Sequence, residues 1–207
     1  MHDAPPFAQP LREQELDPDP FKQFEAWFED AREAGVRLPE AAALATATAD
    51  GRPSARMVLV KQAGPGGFVF YSNFESRKGE ELAANPRAAL LFYWDSLGRQ
   101  VRIEGSVRRL RPEESAAYVR SRPRGSQLSA LASPQSAPVV SREALEQRVT
   151  ELAATYEGGE LPVPENWGGF VVDAETLEFW QHREDRLHDR LRYARAVGGW
   201  QIQRLAP

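Results

Sequence analysis

The sequence has no cysteine, which excludes disulfides, thiolate zinc sites, iron–sulfur clusters and cysteine nucleophiles. Histidine is scarce as well. Only His2, His182 and His188 are present, no pair has metal-ligand spacing, and no metal is expected. Long apolar runs are missing: the longest, Ala88 to Trp94, is far too short to cross a bilayer. The opening Met1-His2-Asp3-Ala4-Pro5-Pro6 lacks the basic and apolar regions of a secretory signal, so a cytoplasmic protein without membrane contact is expected. No G-x-G-x-x-G follows a strand and no phosphate-loop pattern occurs, which argues against a doubly wound dinucleotide fold. Excess basic charge is also lacking. A net charge of −4 and a pI near 5.5 make nucleic acid a poor partner.

What is present suits one domain. A chain of 207 residues, 42% hydrophobic and 27% charged, can bury a sizeable core. Five prolines in the first twenty residues, without apolar periodicity, mark residues 1–18 as a mobile arm before a single domain over 19–207. Asp19-Pro20 caps and opens a helix whose apolar face is Phe21, Phe24, Trp27, Phe28 and Ala31. A β-meander follows, with strands at 43–48 and 55–61 around Asp50-Gly51, then 68–72 after the turn Gly64-Pro65-Gly66-Gly67. A short helix starts at Ser76. Strands resume at 87–94 and 100–110, where Gly105 suggests a bulge. Pro112 opens a helix that Pro123 breaks, and Ser141 caps another with Leu145, Val149, Leu152 and Tyr156 on one face. The last strands are read at 169–172, at 177–192 with an interruption near Glu184, and at 200–205. Many antiparallel strands without a βαβ rhythm predict an α+β barrel.

Arginines cluster within this acidic chain, which suits a small anionic ligand, although a solvated surface would look the same. Ser76-Arg77-Lys78-Gly79 sets two cations at a helix N-terminus, where free amides and the dipole favour a phosphate; a plain surface Arg-Lys pair is the alternative. Strand alternation places Arg56 and Lys61 on opposite faces unless a bulge intervenes. Arg120 to Ser126 reads either as an oxyanion clamp or as an Arg-rich loop. Within a strand, Arg186, His188, Arg190 and Arg192 would share one face, and such a row usually meets an anion or a polar ring.

Taken together and in order, these segments resemble the pyridoxine/pyridoxamine 5'-phosphate oxidase family. The resemblance runs from about Asp19 to the last residue. It rests on Arg56 to Lys61, Ser76-Arg77-Lys78, Arg99-Gln100-Val101, Ser121 to Gln127, Ser133 to Ser136, Trp167-Gly168-Gly169, Glu178 to Gln181, Arg186 to Arg190 and Arg204 to Pro207. It implies an antiparallel split β-barrel with peripheral helices, homodimeric, with two flavin mononucleotide (FMN) sites between subunits. Carried over by motif, Arg56, Met57, Val58, Leu59, Lys61, Tyr71, Ser72, Arg77 and Lys78 would hold FMN. Gln100, Gln135, Ser136, Trp180 and Arg190 would complete that site. Lys61, Tyr118, Arg122 and Ser126 would grip the substrate phosphate, and Arg186 and His188 would act at the pyridine ring. The implied reaction oxidises pyridoxine or pyridoxamine 5'-phosphate to pyridoxal 5'-phosphate, with O2 as acceptor and hydrogen peroxide as product. A related FMN oxidase of phenazine biosynthesis, or a non-catalytic flavin or pyridoxal-phosphate binding protein, are the alternatives. The chain departs from the family pattern in lacking an Arg…Tyr element before Asp17 and in carrying His182 where glycine is commoner.

Overall fold

The structure, a computed structural model, describes residues 10–207. Eight strands form one antiparallel sheet in the order β3-β2-β1-β4-β5-β6-β7-β8. They are β1 (Ala41–Ala47), β2 (Pro53–Gly64), β3 (Gly67–Asn73), β4 (Arg87–Trp94), β5 (Arg99–Arg109), β6 (Trp167–Gln181), β7 (Asp189–Ala196) and β8 (Gly199–Arg204). A further pairing of β3 with β6 closes the first six strands into a barrel and leaves β7 and β8 as an extension. Closure removes the free edges that a six-stranded sheet would otherwise present.

Around the barrel stand α1 (Pro20–Glu33), α2 (Arg77–Ala84), α3 (Pro112–Ser121), α4 (Arg124–Ala132) and α5 (Arg142–Thr155). The α1 helix begins where Asp19 accepts a hydrogen bond from the Phe21 amide, and it plugs the core with aromatic rings. Phe24 meets Phe68 and Phe92 edge-on at 5.0 and 5.1 Å, and Trp27 meets Phe179 at 5.1 Å. Edge-to-face contacts of this kind contribute about 0.5–1.5 kcal/mol each beyond burial. The predicted face of α5 is only half-buried and lies on α4.

Three features depart from the sequence reading. The α4 helix follows Pro123 directly, because a proline before the first turn withholds no amide that the helix needs. The β6 strand is continuous over fifteen residues where two shorter pieces were expected. Its register slips opposite Glu104/Gly105, the expected bulge, and a Cβ on Gly105 would sit 2.0 Å from the Asp173 carbonyl oxygen. Finally, β7 starts only at Asp189, so Arg186 and His188 lie outside it.

Of the arm read over 1–18, residues 1–9 lie outside the described residues. Residues 10–18 are tied to β7 and β8: the Leu11 amide donates to Asp189, Arg204 pairs with Glu13 at 2.8 Å, and Tyr193 donates to the Asp17 carbonyl. Leu16 is buried in the core.

Candidate functional site

The end of β3 and the start of α2 build a cationic cradle. Ser76 stands at the N-cap, yet its hydroxyl donates to the Asn73 carbonyl at 2.7 Å and makes no cap bond. The first-turn amides of α2 therefore keep their donors and their positive dipole end. Lys78 is buried, with Nζ 2.8 Å from Ser72 Oγ, 3.1 Å from Ser76 Oγ and 3.4 Å from Gln135 Oε1. All three partners are neutral. Burial first, and then the Arg56 charge, push its ammonium down to about 8, with Glu81 opposing the shift. Gln135 Oε1 also accepts from Ser72 Oγ and the Asn73 amide, which fixes the side of the cradle.

Beside it, Arg56 and Arg77 converge on Glu81, at 3.3 and 2.9 Å. Burial alone would raise the Glu81 carboxyl, but donors from Ser54, Thr46, Arg77 and Arg56 outweigh it and hold the group at about 2.

An aromatic stack leads away from the cradle. Tyr71 lies 3.6 Å from Tyr118, and Trp167 is parallel to Tyr118 at 6.3 Å. Gly169 leaves room beside the stack, since a Cβ there would meet Tyr71 at 3.1 Å as well as Leu110. Pro123 keeps Arg122 extended (φ −74°, ψ 151°), between α3 and α4, and its guanidinium lies 4.5 Å over the Trp167 ring. Its Nη1 is buried with no hydrogen-bond partner among the described residues, and burial lowers its pKa. Arg122, Tyr71, Ser72, Gln135 and Trp167 line a cavity of about 320 Å³.

A second group sits at the far end of β6, on the outer sheet face. Trp180 pairs in register with Gln100 and with Arg190. Arg190 donates to both oxygens of the buried Glu178, at 2.8 and 3.1 Å, and Arg102 reaches the same carboxylate. The His188 ring lies 4.6 Å from Trp180 and 5.2 Å from His182, and its Nδ1 accepts from the Arg183 amide. Desolvation, then His182 and Arg186, lower the His188 pKa.

The four-residue cationic row requires correction. Arg186 belongs to a short 3-10 turn, Glu184–Arg186, in which Asp185 and Arg186 both take positive φ (55° and 60°). Two successive left-handed residues reverse the chain, so period-two alternation cannot hold there. Only Arg190 and Arg192 share a strand face.

The remaining predicted residues scatter. Lys61 falls at a register shift between Val60 and Gln62, a bulge of the kind that strand alternation left open, and pairs with Glu40 at 3.4 Å. Met57 and Leu59 are exposed, while Val58 packs on the core. Ser126 lies in the first turn of α4, half-buried, and Ser136 is exposed with φ 74°. In the proposed clamp, Arg124 does not face a ligand; it donates to the Gly159 and Tyr156 carbonyls. Trp167 and Glu81 were absent from the predicted site. Trp167 carried a signal, since its motif with Gly168-Gly169 stood out, whereas Glu81 looked like any helical surface acid.

The structure thus joins Arg56, Arg77, Lys78, Ser72, Tyr71, Gln135, Tyr118 and Arg122 at one end of the barrel. Gln100, Trp180, Arg190 and His188 gather at the other. The ends of β6 are about 46 Å apart along the strand at about 3.3 Å per residue, too far for one small ligand to touch both within one copy. The residues fit FMN at the first end: a buried ammonium with neutral partners and open helix amides suit a phosphate. The unsatisfied Nη1 of Arg122 suits a second anionic oxygen.

A closed antiparallel barrel with a cationic, aromatic-lined cavity defines a protein of the split-barrel class. Residues 28–156 match the family described as pyridoxamine 5'-phosphate oxidase, and residues 167–207 match its C-terminal dimerisation region. The chain belongs to the pyridoxamine 5'-phosphate oxidase family. It is 57% identical over 197 residues to a pyridoxine/pyridoxamine 5'-phosphate oxidase of Rubrobacter xylanophilus, covering 95% of this chain and 91% of that one. A protein of the same name from Salinibacter ruber is 54% identical, over 91% and 89% of the two chains. Among solved structures, PhzG from Burkholderia lata, in complex with tetrahydrophenazine-1-carboxylic acid, superposes with a TM-score of 0.90 at 35% identity, covering 97% of this chain and 99% of that one.

Proposed function

We propose that the protein is an FMN-dependent oxidase that converts pyridoxine 5'-phosphate and pyridoxamine 5'-phosphate to pyridoxal 5'-phosphate, with O2 as acceptor and hydrogen peroxide as product, the amine substrate also taking up water and releasing ammonia. It works as a cytoplasmic homodimer, with residues 19–207 as one domain and each site shared between copies. The observation that carries this reading is Arg122, a half-buried arginine whose Nη1 is buried without a hydrogen-bond partner among the described residues, at the wall of an aromatic cavity. Such a group calls for an anionic oxygen, which a phosphorylated substrate supplies.

When bound, FMN would supply the two-electron acceptor that no side chain here provides. Lys78, Arg77, Arg56 and the amides of α2 would hold its phosphate. Tyr71, Ser72, Gln135, Ser136 and the 57–59 segment would flank the flavin from one copy, with Gln100, Trp180 and Arg190 from the partner. Tyr118, Arg122, Ser126 and Lys61 would bind the substrate phosphate. Arg186 and the neutral His188 ring would orient the pyridine.

The likeness to PhzG favours a second reading, an oxidase for a tricyclic carboxylate. Oxygen uptake by the FMN-loaded protein separates them. Pyridoxamine 5'-phosphate should drive uptake with equimolar pyridoxal 5'-phosphate. Consumption of a reduced phenazine carboxylate with no response to either B6 phosphate would overturn the proposal. Bound flavin with no turnover of any substrate would mark a binding protein instead.

A further inference from the structure

Glu81 is a buried carboxylate that the proposed function leaves without a task. Only 5% of it is exposed, and it lies one turn along α2 from Arg77. Its Oε1 accepts from Arg77 Nε at 2.9 Å. Its Oε2 accepts from Ser54 Oγ at 2.6 Å, from Thr46 Oγ1, and from Arg56 Nη2 at 3.3 Å. Arg56 in turn donates to Thr46 and Ser54, so strand β1, strand β2 and helix α2 meet in one network. Both carboxylate oxygens are engaged, and Glu81 is therefore no ligand-binding group itself.

We propose that Glu81 is a positioning residue that gathers Arg56 and Arg77 beside Lys78 into a cluster matched in charge to one phosphate dianion. This rests on the reading of the β3–α2 cradle as the FMN phosphate site. Three cations and one carboxylate leave the cluster at +2, while a phosphate monoester carries about −1.5 to −2 at neutral pH. Without the carboxylate the three cations repel, and burying Arg56 and Lys78 side by side becomes costly. Arg56 would then turn toward solvent and Arg77, already largely exposed, would lose its anchor, and the arriving phosphate would bear the cost of ordering both again. Among the described residues Arg77 uses only its Nε on Glu81, so the outer edge of its guanidinium remains open for a phosphate. The charged groups facing Lys78 are Arg56 from β2 and Glu81 from α2; its contacts on β3 and in the 133–136 segment are neutral.

The test uses cofactor-stripped full-length protein titrated with FMN and with riboflavin, which lacks the phosphate. Wild type should prefer FMN strongly. Glu81→Ala should raise the Kd for FMN by about tenfold or more, the loss of one or more charge-assisted hydrogen bonds, and leave riboflavin affinity nearly unchanged. Glu81→Gln should recover most of the FMN affinity near pH 6.5, because its carboxamide oxygen can take the Oε2 place and accept from Arg56, Ser54 and Thr46, leaving only the Arg77 bond unmade. In that same variant the alkaline fall in FMN affinity should move to lower pH, since Lys78 loses its negative neighbour. Equal weakening of FMN and riboflavin in Glu81→Ala, unchanged FMN affinity, or an unmoved alkaline limb in Glu81→Gln would overturn the proposal. A wild-type protein that does not distinguish FMN from riboflavin would instead remove the phosphate site itself.

Discussion

Arg122 lies 4.5 Å over the ring of Trp167 with its Nη1 buried and unpartnered. The ring face offsets part of the buried charge, about 0.5–2 kcal/mol. The orphaned donor still costs about 1–3 kcal/mol. Such an arrangement is poor for stability and suited to capture, because an incoming anionic oxygen would complete it.

Arg122→Met should therefore leave the melting temperature of the ligand-free protein unchanged or slightly higher. Its kcat/KM for pyridoxamine 5'-phosphate should fall about ten- to a hundredfold, the loss of a charge-assisted hydrogen bond. Calorimetry and steady-state kinetics on one preparation check both halves. A large loss of stability with ordinary kinetics would assign the guanidinium to folding.

With the cradle as the FMN phosphate site, Lys78 should make FMN binding depend on pH. In the free site its ammonium is held at about 8 by burial and by Arg56. A bound phosphate dianion raises that pKa, so proton uptake accompanies binding above pH 8. FMN affinity should hold steady from near neutrality to about pH 8. Above that it should weaken, at most about tenfold per pH unit, as expected for one linked proton. Fluorescence titrations across this range measure it, and Lys78→Met should flatten the alkaline limb. A limb that persists in that variant would place the proton elsewhere.

The turn that presents Arg186 holds two successive non-glycine residues at positive φ, Asp185 and Arg186. Each costs about 1 kcal/mol or more. Asp185→Gly should relieve one of them at little change in melting temperature, while loosening the aim of Arg186. We expect kcat/KM to drop about tenfold, and Arg186→Ala to cost on the order of a hundredfold. Unchanged kinetics in both variants would detach this turn from the substrate.

His188 and His182 stand ring to ring at 5.2 Å. Because desolvation, His182 and Arg186 depress the His188 pKa, its ring should titrate below the ordinary 6.5 and remain neutral at neutral pH. His182→Asn removes one of the three causes and should raise the midpoint. Proton NMR of the ring resonances in both proteins reads the shift directly. A midpoint at or above 6.5 in the wild type would contradict the geometry.

Much of this was legible in the residues. Asp19-Pro20 and the aromatic spacing at Phe21, Phe24 and Trp27 define α1 because cap, first-turn proline and apolar face all agree. The bulge at Lys61 was only a condition in the sequence, since alternation separates Arg56 and Lys61 unless an extra residue intervenes. Other parts were hidden for physical reasons. Pro123 reads as a breaker, yet a proline just before a helix costs nothing, so α4 escaped notice. Glu175 is the residue skipped in the pairing of β6 with β5, and that extra residue disrupts the alternation that would reveal one long strand. The Asp185-Arg186 reversal has no glycine to announce it. The cradle residues showed themselves through charge at a helix start, but the partner of Arg56 and Arg77 lay a turn further on, in a residue type that usually faces water.

The β6 strand carries Trp167 at its first residue and Trp180 near its last, and a two-fold pair would set the head of one copy beside the tail of the other. Assembly of that kind has a genetic consequence. A copy disabled at Arg122 and a copy disabled at Arg186 would each be inactive alone. Mixed together they would form dimers with one doubly damaged site and one whole site, and activity would return to two dead proteins.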